Sequence, residues 1–379
     1  MKPVPKVALL VETSNSYARD LLHGVRSWVR ESGPWSIRLT EQGRGAAVPA
    51  WLRRWDGDGV IARVENAEIA RGLRATGLPV IDVSAALPDL VFPRVATHAV
   101  GAARLAANHL GDLGLKRFAY CGYRGVNWSR RRGDAFAAAV AADGGTCERF
   151  EPAAGPVDDE IGAIAAWLQR LRPPVGVLAA IDLRGQQVLA ACRLAGLAVP
   201  DEVAVIGVHN DELLCDLCDP PLSSVRPNAR RAGYVAAGLL AKAMAGHRLP
   251  VALHEIEPQG VASRQSTNLE AVTDAKIADV IRFMRQQAAG GANVGDVLRA
   301  IPMARTALER RFKAVLGTTP HAHLRKLRIA RVQELLVTTN LPVGEIAAAT
   351  GFDNPEYLSA MFRRECGVSP REFRARHRG

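Results

Sequence analysis

VGEIAAATGFDNPEYLSAMFRREC, residues 343–366, reads as two short helices broken at Gly351, Phe352 and Asp353. The first spans Val343–Thr350 and the second Asn354–Cys366. Gly351 allows a sharp turn, Asn354 suits an N-cap, and Pro355 suits the first helical position. Leu358 and Phe362, four residues apart, share the inward face of the second helix. The same layout stands upstream: Val294–Ile301, a break at Ile301, Pro302 and Met303, then Ala304–Val315 with Leu308 and Phe312 facing inward. Two helices meeting at about 90–120° across such a turn form a helix-turn-helix, whose second helix can enter a DNA major groove. Between the pairs lies Pro320–Thr339, with Leu324, Leu327, Val332, Leu335 and Leu336 on one side. A rigid helix there would set the two recognition helices in successive major grooves, about 34 Å apart on one face of the duplex.

The outward residues carry the reading chemistry. Arg305, Thr306, Glu309 and Arg310 are left for the outer side of the first recognition helix, and Pro355, Glu356, Ser359 and Ala360 for the exposed start of the second. Arginine donates twice to guanine O6 and N7, and glutamate accepts from cytosine N4. Arg311, Lys313, Arg325, Arg328, Arg363 and Arg364 are better placed as phosphate contacts, which position the protein without specifying sequence. The blander reading pairs Glu309 with Lys313 at i,i+4, and has Glu356 complement the helix N-terminus or close a capping box with Asp353. Charge favours DNA. Residues 274–379 hold 18 Lys and Arg against 10 Asp and Glu, a net +8, while the other 273 residues carry a net +3. Excess positive charge gathered on the last quarter of the chain is what a polyanion-binding module requires, although a solvated basic face would show it too.

Further upstream the pattern changes. Asp274–Gln287 is one more helix, with Ile277, Val280, Ile281 and Met284 on one face. Before it, Ser263–Asn268 is polar and non-periodic, which places a linker there and divides the chain into 1–268 and 274–379. The first part alternates apolar runs (Lys6–Val11, Gly59–Val64, Pro79–Val83, Phe118–Cys121, Val175–Ala180, Val203–Val208) with helical stretches (Tyr17–Glu31, Gly101–Leu113, Ser129–Ala142, Asp159–Leu171, Leu183–Ala195). Such alternation implies βαβ units and a buried parallel sheet. Ligands of open α/β sheets bind beyond the carboxyl ends of strands, so the polar residues there are candidates: Tyr17 and Arg19, Trp128 and Arg132, Asp182 and Arg184, His209 and Asn210. Planar polar side chains beside an aromatic ring suit a sugar, with hydroxyls bonded at the edge and the C–H face covered. Equally, Trp128 as a core aromatic and the charges as surface pairs would fit the pattern.

Other chemistries lack their signatures. No G-x-G-x-x-G follows the first strand, where residues 11–15 read VETSN, and there is no G-x-x-x-x-G-K-[ST] or H-E-x-x-H. An enzyme on the doubly wound domain is thus disfavoured, and no cofactor is expected. Six scattered cysteines read as free thiols, and the Cys215/Cys218 pair lacks the second ligand pair of a zinc site. The apolar run Val7–Val11 is too short for a secretory or membrane segment, so the protein is expected in the cytoplasm with no membrane partner.

Residues 305–312 (RTALERRF), Leu335, 346–352 (IAAATGF), 357–364 (YLSAMFRR) and 367–373 (GVSPREF) closely resemble the DNA-binding domain of the AraC family of transcription activators. Residues 7–12 (VALLVE), 57–62 (GDGVIA), 105–110 (LAANHL), 205–213 (VIGVHNDEL), 222–225 (LSSV) and 264–267 (RQST) resemble the periplasmic-binding-protein-like domain of LacI-type repressors. The junction of the two resembles the xylose operon regulator branch. The resemblance implies a two-lobed α/β periplasmic-binding-protein-like domain, then an all-α domain with two helix-turn-helix motifs. It places a small sugar, a pentose such as xylose, between the lobes, with Arg132, Asp182 and the residues around His209 lining the cleft. It also implies double-stranded DNA and a second copy of the chain as partners, with RNA polymerase a further candidate. His98 and His209 stand where that family usually has Asp. An imidazole accepts one hydrogen bond where a carboxylate accepts several, and it titrates near neutrality, so pH-dependent ligand binding is expected at His209. The competing reading is a ligand-independent DNA-binding regulator whose sensor serves only dimerisation.

Overall fold

The computed structural model describes residues 4–41, 43–268, 275–287, 291–316, 318–339 and 341–377. The chain divides into two compact units, Met1–Leu269 and Glu270–Gly379; the linker residues 269–274 lie outside the described ones.

The first unit begins with β1 (Lys6–Leu10), α1 (Ser16–Ser32), β2 (Ser36–Leu39), β3 (Gly59–Ala62), α2 (Ala67–Arg74), β4 (Val80–Asp82) and β5 (Arg94–Thr97). The chain then crosses to a second lobe of α3 (Ala99–Asp112), β6 (Arg117–Cys121), α4 (Asn127–Ala142), β7 (Thr146–Phe150) and α5 (Val157–Leu168). That lobe continues through β8 (Val175–Ala179), α6 (Asp182–Ala195), β9 (Val203–Val208), α7 (Glu212–Leu217) and β10 (Ser223–Arg226). The chain returns to the first lobe for α8 (Ala229–Met244) and β11 (Leu253–Ile256), and crosses once more for β12 (Gly260–Ala262). Each lobe holds a six-stranded sheet, ordered β11-β5-β4-β3-β1-β2 in the first and β12-β10-β9-β8-β6-β7 in the second. All pairings are parallel except β10 with β12.

The apolar runs that signalled strands are the sheet interiors. Val7, Ala8, Leu9 and Leu10 of β1 are buried, as is all of β9, because helices cover both faces of a parallel sheet. The sequence pattern missed β2, β5, β7, β10, β11 and β12 in this unit. These are edge or crossover strands of three to five residues, and β2 is exposed along its whole length, so no apolar run marks it. It also missed α2, α7 and α8. The buried face of α8 is Ala229, Ala232, Gly233, Ala236, Ala237 and Leu240, too small in side-chain volume to stand out as a hydrophobic stripe. Those residues are small because α8 lies flush on α1. A Cβ on Gly233 would fall 1.9 Å from the Leu21 carbonyl oxygen, and one on Gly24 1.9 Å from that of Arg230.

The second unit is helical: α9 (Ala275–Gln287), α10 (Val294–Ala300), α11 (Arg305–Leu316), α12 (Pro320–Thr338), α13 (Val343–Ala349), α14 (Pro355–Cys366) and α15 (Pro370–His377). The last was not anticipated. Its Arg374 donates to the carbonyls of Leu336 (3.2 Å) and Leu341 (2.6 Å), anchoring it to the end of α12. Two separate cores form. Ile277, Val280, Ile281, Met284, Val297, Leu308, Phe312 and Leu324 make one, and Val332, Leu335, Leu336, Ile346, Leu358 and Phe362 belong to the other. The start of α12 therefore packs into the first helix-turn-helix and its remainder into the second. One continuous helix sets their separation.

Candidate effector cleft and nucleic-acid interface

In the first unit a cavity opens between the lobes, with about 560 Å³ of space, part of it open to solvent. From the first lobe come Tyr17 of α1, Arg44, Arg63 just past β3, Ser84 and Thr97; from the second come Trp128, Arg131 and Arg132 of α4, and His209 just past β9. Asn15 places Tyr17 by capping α1, its side chain accepting from the Ala18 N–H at 2.9 Å. The Tyr17 ring stacks on His209 across the cleft, centroids 4.8 Å apart, and its hydroxyl lies 3.3 Å from Thr97 Oγ1. Arg63 is held by Glu12 (2.9 Å) and Glu65 (2.8 Å), and Glu65 also takes Arg44 at 3.2 Å. Arg132 is buried, with one guanidinium N–H on the Ala180 carbonyl and its charge 5.7 Å from the Trp128 ring. Its Nε and the indole Nε1 of Trp128 have no hydrogen-bond partner among the described residues.

Further contacts tie the lobes together. The Ser16 N–H donates to Asp211 at 3.1 Å, Asn127 reaches the carbonyls of Ala85 and Leu87, and Arg131 pairs with Glu255 at 3.0 Å. The turn after β9 is constrained: His209 and Asn210 both have positive φ, 120° and 49°, unusual for residues with a side chain. The Asn210 N–H donates to Ser224 Oγ, and its side-chain oxygen accepts from Arg264 at 3.0 Å.

Sequence reasoning brought together Tyr17, Trp128, Arg132 and His209, which do line one cavity. The other four nominated residues stand elsewhere, Arg184 buried against Glu160 at 2.8 Å. Arg19 and Asp182 line the cleft's outer mouth, where Arg19 donates to the Thr13 carbonyl at 2.9 Å. Asp182 has both carboxylate oxygens engaged, by the Ser224 hydroxyl at 2.5 Å and the Asp211 N–H at 2.8 Å, and burial pushes its pKa up to about 6. Asn210 serves the loop through Arg264. His98 stands just before α3 without a side-chain capping bond and pairs with Glu257, away from the cavity lining. One expectation is corrected. His209 does not titrate near neutrality, because burial first, then the charges of Arg132, Arg63 and Arg44, hold its pKa well below 6.5. It is a neutral imidazole at pH 7.

Missed were Arg44, Arg63, Ser84, Thr97 and Arg131. Arg63 sat in view at the end of a recognised strand; Thr97 ends β5, which left no apolar signature.

In the second unit the division by face holds. Leu308, Phe312, Leu358 and Phe362 have no exposed surface, while Arg305, Thr306, Glu309, Arg310, Glu356, Ala360 and Arg363 are exposed and Pro355 and Ser359 half-buried. Asn354 caps α14, accepting from the Tyr357 N–H at 2.7 Å, so the capping box with Asp353 does not form. Glu309 accepts from Arg305 at 3.3 Å rather than from Lys313, one turn before instead of one turn after. Arg325 pairs with Glu365 at 3.0 Å and Arg328 donates to the Ala292 carbonyl at 3.0 Å, so both brace the helical unit. The exposed helix starts, the broken turns and the shared brace α12 are the geometry of two groove-reading units.

Comparison with known proteins agrees with that geometry. Residues 6–99 match the family described as XylR N-terminal domain, 107–267 the periplasmic binding protein-like domain, and 297–376 the helix-turn-helix domain. The xylose operon regulatory protein of Escherichia coli (strain K12) is 30% identical over 97% of this chain and 96% of its own length. The chain belongs to the xylose operon regulatory protein family. Its relative in Haemophilus influenzae is 29% identical over 97% of this chain and 98% of that protein. A solved structure of the xylose-binding transcription activator xylR superposes with a TM-score of 0.85, at 28% identity and full coverage of both chains. A regulator CelR–cellobiose complex, 23% identical, shares the fold of the first unit over 70% of this chain with a TM-score of 0.56. As a member of this family, the chain is a DNA-binding transcription regulator with an AraC-type helix-turn-helix domain. No described helix is long and apolar enough to cross a membrane.

Proposed function

We propose that this regulator is controlled by a small sugar of pentose size, the class to which the relatives' names point, bound between the lobes of residues 1–268 and read out by residues 274–379. The observation that carries the reading is the cavity itself. An aromatic pair, Tyr17 and His209, and an indole face a set of convergent polar groups contributed by both lobes. A ligand that touches both lobes binds a closed cleft better than an open one, and only such differential affinity transmits a signal. DNA is read by Arg305, Thr306, Glu309 and Arg310 on α11 and by Pro355, Glu356, Ser359 and Ala360 on α14, with Arg363 on phosphate. The protein works in the cytoplasm as a homodimer and contacts RNA polymerase when activating. Footprinting of the purified full chain on the region upstream of its own locus, with and without candidate sugars, tests this. A sugar-dependent change in protection is expected; protection indifferent to every sugar would instead support the reading in which the sensor only dimerises.

A further inference from the structure

The cleft is built for negative charge. Four guanidinium groups line the cavity, those of Arg44, Arg63, Arg131 and Arg132, and among the described residues no Asp or Glu does. The three carboxylates just behind the wall are already taken: Glu12 by Arg63, Glu65 by Arg63 and Arg44, Glu255 by Arg131. Asp182, at the mouth, is bonded to Ser224 and to the Asp211 N–H. Arg132 is the exception on the cationic side. It is 6% exposed, and among the described residues it forms no ion pair.

A neutral polyol brings a proton with every hydroxyl and needs acceptors around it, for which carboxylates are the strongest. This wall offers mainly donors. The buried Arg132 Nε and Trp128 Nε1 lack acceptors, and the remaining polar groups are the hydroxyls of Tyr17, Ser84 and Thr97 and the His209 ring. Burying a guanidinium without a counter-charge is costly, and the Trp128 ring and one carbonyl offset only part of that cost. An oxyanion accepts several hydrogen bonds, donates none and supplies the missing charge. We propose that the effector of this cleft is a sugar bearing an anionic group, a carboxylate or a phosphate, bound by Arg132 and Arg44, whose guanidinium groups lie 5.7 and 5.2 Å from the Trp128 ring. This rests on the reading that the cleft is the effector site and replaces a neutral sugar with an acidic one of similar size.

Titration calorimetry of the full chain at fixed ionic strength tests it, with D-xylose and D-glucose set against D-xylonate, D-gluconate, D-glucuronate and D-glucose 6-phosphate. At least one acidic ligand is expected to bind about ten- to a hundredfold tighter than its neutral counterpart, and its affinity should fall with added salt. The carboxylate and phosphate arms tell the two anions apart. Arg44→Gln, at a side chain 41% exposed, should weaken the acidic ligand more than its neutral counterpart and so erase most of that preference; Arg132→Gln should do so more completely. Xylose or glucose binding as tightly as the acids would overturn the inference while leaving the effector site intact. Heat from no sugar of either kind would remove both.

Discussion

The sensor's two lobes and the regulator's two helix-turn-helix units both present functional groups in pairs, yet in opposite ways. The cleft draws its residues inward, where each is held by others: Tyr17 by His209, Arg63 by two carboxylates, Asp182 by Ser224 and Asp211. The reader helices turn theirs outward onto a stiff apolar support, with a single i,i+4 pair, Arg305 to Glu309, among the nominated readers. A small ligand can be selected only by groups whose positions and charges are fixed in advance, whereas a DNA groove is read by side chains that stay in water until the duplex arrives. Changes in the cleft should therefore register as stability and pH dependence, and changes on the readers as binding with stability untouched.

The largest effect should come from the support beneath the readers. Phe362→Ala empties a fully buried site in a small core and should cost about 3–5 kcal/mol. Loss of DNA binding and of part of the helical circular dichroism is expected; unchanged melting would mean that α14 is not braced by this core.

Asp182 comes next. Its folded pKa, about 6, lies above the unfolded value of roughly 3.9. A carboxyl raised on folding binds its proton more tightly in the native state, so its contribution is fully present below about pH 4 and is lost as pH rises through 6. Asp182→Asn keeps an acceptor and a donor in place and removes that dependence. The variant should gain on the wild type by up to about 3 kcal/mol between pH 4 and 7 in urea melts. His209, depressed instead of raised, loses its stabilisation as pH falls below 6.5, but it titrates in both proteins and cancels in the difference. A flat difference curve would show that Asp182 is ionised at no cost.

On the readers the scale is smaller. Arg305→Ala should leave the melting temperature unchanged and relax discrimination at one base pair by about 1–3 kcal/mol, measured over a set of single-substituted operators. Arg363→Ala should weaken all sequences alike and reduce the slope of log affinity against log salt by about 1. If Arg305→Ala behaved like Arg363→Ala, α11 would lie on the backbone rather than in the groove.

The same contrast explains what the sequence made legible. The helical unit could be read almost residue by residue, because a local period separates Leu308 and Phe312 from Arg305 and Arg310, and Asn354-Pro355 marks a helix start. Only α15 escaped, an exposed and highly charged helix with little apolar signal. The cleft was legible in part. Tyr17, Trp128, Arg132 and His209 follow strand ends that apolar runs announce, but Arg44 lies in a loop and Thr97 ends a strand without such a run. That Asp182 would spend its carboxylate on Ser224 and Asp211 depends on pairings 42 and 29 residues away, which no local pattern carries.

The account's central claim is that α12 sets two reader helices at a fixed separation along one side of a duplex. Hydroxyl-radical footprinting of the full chain on its upstream DNA tests it most directly. The prediction is paired protections centred one helical turn apart, about 10–10.5 base pairs, on the same face. A single protected groove, or two protections half a turn out of phase, would contradict it.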